Sequence, residues 1–302
     1  MEKVVWIVGA SYSGSSLLNL LLDTQPGFRG MGEGAQVYYR PPRGEVEFPR
    51  LAGGPCARCK STVRECELYS RYHGGPFYRF NFDRYDCRVL VDSSKSVRML
   101  TQKPTERSFQ YRAIIISKAP HEAVYSLYKH AHWDRWSRGG RAFADVEAGM
   151  RFYLNIHQRH LRDLCQLDFT VESLAVRYRD VAANTGEELS KICDFLDEPF
   201  SGDRLNDEWW RTDTHVLGGN PAMVAQVSRD EGLAFAVPVD RYLEGKYQDK
   251  MGKIFVDTAW KEDRSFIAEC RKSYARNQAE LWRLLPALGY DLEAEWSDLI
   301  AA

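Results

Sequence analysis

A glycine-rich segment near the start of the chain has the spacing of a phosphate-binding loop. Residues 9–16, here called the phosphate loop, read Gly-Ala-Ser-Tyr-Ser-Gly-Ser-Ser and follow the pattern Gly-x-x-x-x-Gly. Backbone N–H groups of such a loop, together with serine hydroxyls and the start of a helix, bind anions. The candidate binding residues are Ser11, Tyr12, Ser13, Gly14, Ser15 and Ser16.

The phosphate loop lacks the lysine that nucleoside triphosphatases place after the second glycine. That lysine holds the β- and γ-phosphates, and Ser15 stands in its position here. A ligand whose end carries less charge than a terminal phosphate suits this loop, and a 5′-phosphosulfate is such a ligand. The alternative interpretation is a glycine turn that only lets a strand pack against a helix.

Three cysteines in one segment raise the question of a metal site. Cys56 and Cys59 form a Cys-x-x-Cys pair, with Cys66 and His73 downstream. One such pair with one more cysteine is incomplete as a zinc signature. We therefore predict no metal here and interpret the cysteines as reduced thiols or a local disulfide, with Cys56, Cys59 and Cys66 as weak candidate ligands.

Short apolar runs alternate with helical stretches along the chain. A strand at residues 4–8 leads through the phosphate loop into a helix from Ser15 that ends before Pro26. The further predicted strands lie at residues 88–91, 113–116 and around 169–176; the further helices lie at residues 122–130, 185–196 and 264–285, the last ended by Pro286. This order predicts an α/β fold of the P-loop NTPase type, with an open, mainly parallel sheet flanked by helices and ligands at the carboxyl ends of the strands.

Composition and charge narrow the classes of partner. The chain has 302 residues, of which 44% are hydrophobic and 27% charged, and we interpret residues 1–302 as one domain with insertions at about 34–85 and 205–250. Its 41 basic and 42 acidic residues nearly cancel, so the overall charge favours neither a nucleic-acid nor a membrane partner. No signal peptide or membrane-spanning stretch is readable, and a cytoplasmic location is the simplest expectation.

Four segments, taken in order, resemble the PAPS-dependent sulfotransferases, where PAPS is 3′-phosphoadenosine 5′-phosphosulfate. The similarity is to the bacterial branch and to the branch that modifies glycans and tyrosyl proteins. The four segments are Ser13-Gly14-Ser15-Ser16-Leu17-Leu18 with Pro26 and Gly32-Glu33; residues 118–126, Lys-Ala-Pro-His-Glu-Ala-Val-Tyr-Ser; residues 176–180, Val-Arg-Tyr-Arg-Asp, with Ile192-Cys193-Asp194-Phe195-Leu196; and residues 215–221, His-Val-Leu-Gly-Gly-Asn-Pro.

The resemblance implies PAPS as cofactor, with PAP as its product. It assigns Lys118 and Ser126 to the 3′-phosphate and Tyr178 to the adenine, and it places Gly219 and Asn220 near the cofactor. Tyr12 and Lys118 stand where many relatives have arginine, and lysine supplies the charge without a bidentate fork.

The resemblance also implies an in-line transfer of the sulfuryl group to an acceptor hydroxyl, with Glu33 as the base. Lys95 follows the second strand, and we predict that it neutralises charge on the bridging oxygen, with Ser94 as a helper donor. A helix-capping turn with a solvated lysine is the alternative for this segment. The expected acceptor is a hydroxyl-bearing small molecule or a glycan.

Two other functions stay open at this point. One is a P-loop nucleotide kinase or NTPase, against which the absent loop lysine counts, and the other is a non-catalytic module that binds PAP or a nucleotide. Neither the acceptor nor the oligomeric state is readable from the sequence.

Overall fold

A five-stranded parallel sheet forms the centre of the molecule. The computed structural model describes residues 1–37, 56, 58–59, 65–101, 106–131, 145–205, 209–218 and 254–302. Its strands are β1 (Lys3–Val8), β2 (Phe28–Gly30), β3 (Val89–Lys95), β4 (Gln110–Ser117) and β5 (Glu172–Arg177). The strand order is β2-β3-β1-β4-β5, and all four neighbouring pairs are parallel. The predicted α/β class with a parallel sheet is therefore confirmed.

Both faces of this sheet are covered, which explains why the central strand β1 is apolar without alternation from Val4 to Val8. In β1 all six residues are buried: Val5 and Ile7 pack into one core cluster, while Val4, Trp6 and Val8 pack into another on the opposite face. Because side chains of a strand alternate between its two faces, a strand buried on both sides favours apolar residues at consecutive positions.

The helices follow the strands in the order expected of a parallel sheet. They are α1 (Ser15–Asp23), α2 (Phe77–Phe82), α3 (Val97–Leu100), α4 (Pro120–Ala131), α5 (Val146–Cys165), α6 (Tyr178–Ala183), α7 (Thr185–Phe195), α8 (Arg264–Arg276), α9 (Gln278–Leu284) and α10 (Leu292–Ala301). Short 3₁₀ helices lie at Gly34–Val37, Tyr69–Arg71, Ala259–Glu262 and Leu285–Leu288. In the described residues no helix is both long enough and apolar enough to cross a membrane.

The sequence predicted several element boundaries wrongly. Strand β3 continues through Lys95, so residues 92–95 are the end of a strand and not a helix-capping turn. The last strand begins only at Glu172, and the ring of Phe169, which lies before it, packs against the rings of Tyr111 and Trp6 at centroid distances of 5.2 and 6.0 Å.

The long C-terminal helix predicted over residues 264–285 is two helices. It breaks at Asn277, whose side-chain amide donates to the Ser273 carbonyl at 2.8 Å and to Glu147 Oε1 at 3.1 Å. These bonds tie the break to α5, and no apolar periodicity encodes them. Strand β2 and helix α5 were not predicted at all.

Candidate active site

The phosphate loop joins the carboxyl end of β1 to the amino end of α1, and its two glycines are required by close contacts. Gly14 has φ 96°, and a Cβ there would lie 2.2 Å from Cδ2 of Tyr178. A Cβ on Gly9 would lie 2.5 Å from the Ile116 carbonyl oxygen. Both distances are far shorter than a normal contact, so only glycine lets the loop pass between β4 and the Tyr178 ring.

The loop has the donors of an anion site. Gly14 is the N-cap residue of α1, and no side chain caps this helix, whose first N–H groups point out of its amino end. The Ser13 hydroxyl is buried and has no hydrogen-bond partner among the described residues. A buried donor without a partner costs about 1–3 kcal/mol, which a bound anion would recover.

Lys118 and Ser126 lie together beside the phosphate loop. Lys118 Nζ donates to Ser126 Oγ at 3.2 Å and lies 4.8 Å from the centroid of the Tyr178 ring. The same ring contacts Gly14, so Tyr178 connects the phosphate loop to the lysine. The structure thus brings Gly14, Lys118, Ser126 and Tyr178, all named from the sequence, into one site.

Ion pairs outside this site hold Tyr178 in place. The next residue, Arg179, pairs with Glu122 at 3.2 Å and with Glu295 at 2.9 Å. The Tyr178 hydroxyl donates to the Phe255 carbonyl at 2.9 Å, and burial raises the pKa of Tyr178 to about 12. The ring is therefore a fixed, uncharged surface.

Glu33 and Lys95 form an ion pair at the other side of the phosphate loop. Lys95 Nζ donates to Glu33 Oε1, and the Lys95 carbonyl accepts from the N–H of Gly9 at 3.0 Å. Burial lowers the pKa of Lys95 to about 8, while the neighbouring carboxylate favours its charged form. The predicted base and the predicted cation are thus in direct contact at the start of the loop.

The backbone around Glu33 is held unusually firmly. We call residues 31–35 the Glu33 loop, and each of its five N–H groups donates a hydrogen bond. The acceptors, in order, are Val91 O at 2.9 Å, Asn19 Oδ1 at 3.2 Å, Leu217 O at 2.6 Å, Asp92 Oδ1 at 3.3 Å and Ser94 Oγ at 2.9 Å. A catalytic side chain on such a loop is preorganised.

The carboxylate of Asp92, in strand β3, stabilises the Glu33 loop by accepting hydrogen bonds. Its buried carboxylate accepts from the Gly34 N–H, from the Ser94 N–H at 3.0 Å and from the hydroxyl of Tyr78 at 3.1 Å. The hydroxyl of Ser94 donates to the same carboxylate. Ser94 spends its one O–H donor on Asp92, so the geometry favours a positioning role for it over the predicted donation to a ligand.

Cys56, Cys59 and Cys66 converge on His215, and we call these four residues the cysteine cluster. His215 Nδ1 lies 3.5 Å from Cys56 Sγ, 3.3 Å from Cys59 Sγ and 3.2 Å from Cys66 Sγ. Hydrogen bonds from Cys56 and from His215 lower the pKa of Cys66. The histidine of the cluster is thus His215 and not His73, which is exposed.

Gly219 and Asn220, which the resemblance places near the cofactor, lie outside the described residues.

Two histidines of α5 that the sequence analysis did not single out, His157 and His160, are buried. Burial lowers the pKa of His157 to about 3 and also lowers the pKa of His160. These imidazoles are neutral at physiological pH, so they add no charge to the site.

Comparison with known proteins finds sulfotransferases. No protein-family model matches the chain, and no curated protein matches it. The structure is similar to the sulfotransferase domain from the curacin biosynthetic pathway, with 14% identity over 80% of this chain and 96% of that chain and a TM-score of 0.48. It is also similar to the sulfotransferase domain of the Synechococcus PCC 7002 olefin synthase, with 18% identity, 81% and 95% coverage and a TM-score of 0.38. A third match is mouse sulfotransferase SULT7A1 complexed with PAP, with 13% identity, 93% and 88% coverage and a TM-score of 0.37. All three carry the name sulfotransferase.

Proposed function

We propose that this chain is a sulfotransferase that moves the sulfuryl group of PAPS to an acceptor hydroxyl. The observation that carries the proposal is the placement of two lysines, each with a side-chain partner, on either side of one phosphate loop. Lys118 with Ser126 lies on one side, and Glu33 with Lys95 lies on the other. The phosphate loop lacks its own lysine. On one side, Lys118 would bind the 3′-phosphate of the cofactor, and on the other, the Glu33 carboxylate would accept the proton of the acceptor hydroxyl.

The cofactor half of the site consists of the phosphate loop, Lys118, Ser126 and Tyr178. The loop N–H groups and the Ser13 hydroxyl would bind the 5′-phosphosulfate, and Lys118 with Ser126 would bind the 3′-phosphate. Tyr178 offers its ring to the adenine. PAPS supplies a sulfuryl group that its phosphosulfate anhydride activates.

The half of the site that would carry out the transfer consists of Glu33 and Lys95. In the proposed step the acceptor oxygen bonds to sulfur, the bond between sulfur and the bridging oxygen breaks, and Glu33 takes the hydroxyl proton. Lys95 balances the charge that develops on the leaving phosphate. The five hydrogen bonds of the Glu33 loop hold the base at a fixed position, which is where much of the rate enhancement would originate.

The experiment is a transfer assay with PAPS and a panel of acceptors: sugars, phenols, aliphatic alcohols and a tyrosyl peptide. Mass spectrometry detects the sulfated product, and PAP release gives the rate. Glu33→Gln should lower the rate by about 10²–10⁴-fold, the usual contribution of a general base. The matched control is Glu187→Gln, which makes the same change on the exposed face of α7 and should leave the rate unchanged.

Two outcomes would contradict the proposal. Transfer of a phosphoryl group from ATP or GTP would favour a kinase. PAP binding without transfer to any member of the panel would favour a non-catalytic binding module.

A further inference from the structure

The cysteine cluster brings four metal-ligating atoms together from segments far apart in the chain. Cys56, Cys59 and Cys66 come from the first predicted insertion, and His215 comes from the second. The three sulfur atoms and one ring nitrogen all lie within 4.8 Å of one another. Cys56 and Cys66 are buried, and Cys59 and His215 are half-buried.

The distances within the cluster match those of a tetrahedral zinc site. Zn–S bonds of about 2.3 Å and a Zn–N bond of about 2.0 Å place two sulfur ligands about 3.8 Å apart and a sulfur and a nitrogen about 3.5 Å apart. Cys59 Sγ and Cys66 Sγ are 3.7 Å apart, and the three S···N distances are 3.5, 3.3 and 3.2 Å. These four distances agree with the tetrahedral values within a few tenths of an ångström, and the other two S···S distances are at most 4.8 Å.

We propose that Cys56, Cys59, Cys66 and His215 bind one zinc ion as a structural Cys₃His site. Thiolates with one imidazole in tetrahedral arrangement are the ligand set that selects zinc among the common divalent metals. Four protein ligands fill the coordination sphere, so the ion holds the fold and does not bind substrate. Binding releases the protons of those thiols that are still protonated.

A second group that resembles a metal site does not share these properties. His121, Glu295 and Asp298 also lie close together, but Arg179 pairs with Glu295 at 2.9 Å and Lys261 pairs with Asp298 at 3.1 Å. These side chains already balance the carboxylates. In the cysteine cluster, by contrast, the sulfur atoms contact His215, and Cys59 Sγ contacts Cys66 Sγ.

The zinc ion would stabilise the Glu33 loop, which carries the candidate base. Leu217, two residues after His215, forms a bridge with Cys56 and a parallel bridge with Gly32. Its carbonyl accepts from the Glu33 N–H at 2.6 Å, and its N–H donates to the Met31 carbonyl at 2.9 Å. The ion thus joins both insertions to the Glu33 loop, and only this consequence for catalysis rests on the proposed function.

The test measures the metal content of the full chain, purified without a polyhistidine tag and without chelators. We expect about one zinc ion per chain by elemental mass spectrometry, as four ligands allow. Cys59→Ser, at a half-buried position, should lose most of this zinc. The matched control Cys165→Ser, at an exposed position at the end of α5, should retain it.

Cobalt gives a readout that does not depend on the variants. Wild-type protein refolded with Co²⁺ should show the intense visible bands of tetrahedral cobalt and a sulfur-to-cobalt charge-transfer band, and zinc should displace both. If Cys59→Ser fails to fold, this spectrum decides the question. Absence of zinc and of these bands would overturn the proposal, as would an intact mass lower by two hydrogens, which indicates a disulfide.

The two proposals can fail separately. Bound zinc in a protein that transfers no sulfuryl group would leave the metal site standing and sink the proposed function. Full transferase activity in a zinc-free protein would do the reverse.

Discussion

Replacing Gly32 by alanine tests whether the contact between the Glu33 loop and Leu217 positions the candidate base. Gly32 has φ +69°, and a Cβ there would lie 2.3 Å from the Leu217 carbonyl oxygen and 2.7 Å from its nitrogen. Both are backbone atoms and cannot rotate away. The two segments must therefore separate by about 1 Å to restore a normal contact.

The energetic cost follows from two contributions. The left-handed conformation costs a non-glycine residue about 1–2 kcal/mol. Separation also breaks the bonds from Glu33 N to Leu217 O and from Leu217 N to Met31 O, each worth about 0.5–1.5 kcal/mol. We expect the free energy of unfolding to fall by about 2–5 kcal/mol, which leaves most proteins of this size folded.

Gly289→Ala is the matched control. Gly289 has φ +78°, but a Cβ there would meet its nearest atom only at 3.9 Å, so this variant carries the backbone cost without the clash. Urea denaturation compares the stability of the two variants, and the transfer assay compares their rates. Gly32→Ala should lower the transfer rate by about 100-fold because a 1 Å displacement of a catalytic group has that effect. PAP affinity should not change, since Lys118 and the phosphate loop are untouched. Equal stability and equal rates in the two variants would refute the reasoning.

Two further predictions concern the charge and the ring at the site. Burial lowers the pKa of Lys95 to about 8, so the ammonium form is lost as pH rises through that value, and the transfer rate should fall with it. Lys95→Arg should extend activity to higher pH. A pH–rate profile that this substitution leaves unchanged would exclude Lys95 as the group that balances charge on the leaving phosphate. Tyr178→Ala should weaken PAP binding by about 1–3 kcal/mol, the usual range for stacking of a base on an aromatic ring. Tyr178→Phe keeps the ring and loses only the bond to Phe255, so calorimetry should show nearly wild-type affinity, and an equal loss in both variants would contradict the stacking role.

The sequence predicted the central strands and the phosphate loop because their signals are local. Strand β1 is apolar from Val4 to Val8 because it is buried on both faces, and the glycines that follow it indicate a turn before the next helix. The pair of Lys118 and Ser126 was implied by the resemblance to the family motif, and in the structure Lys118 Nζ donates to Ser126 Oγ at 3.2 Å.

The parts that the sequence did not predict depend on contacts between distant segments. His215 is 149 residues from Cys66, and His73, the histidine nearer in sequence, is exposed. Nothing in the spacing of the cysteines indicates that a residue beyond β5 completes their cluster. The contact between Ser94 and the Glu33 loop was unpredictable for a similar reason: its hydroxyl oxygen accepts from the N–H of Ala35, which lies 59 residues away.

The sequence of helix α5 contains an N-cap residue and the apolar spacing of an amphipathic helix. Asp145 accepts from the Glu147 N–H as an N-cap, and the buried residues that follow recur every three or four positions: Val146, Met150, Tyr153, Leu154 and His157. The two histidines on this face make the helix look more polar than it is, because both are buried and neutral.

Calorimetric titration with PAP, ATP and GTP tests the central claim most directly. The claim is that Lys118 and Ser126, beside a phosphate loop without a lysine, select a 3′-phosphorylated nucleotide. Wild-type protein should bind PAP well and the triphosphates weakly, and Lys118→Met should lose about 1.5–3 kcal/mol of PAP affinity, the worth of a hydrogen bond to a charged group. Lys191→Met, which removes an exposed lysine from α7, is the control and should bind PAP like the wild type. Tight binding of ATP or GTP without a preference for PAP, or unchanged PAP affinity in Lys118→Met, would contradict the account.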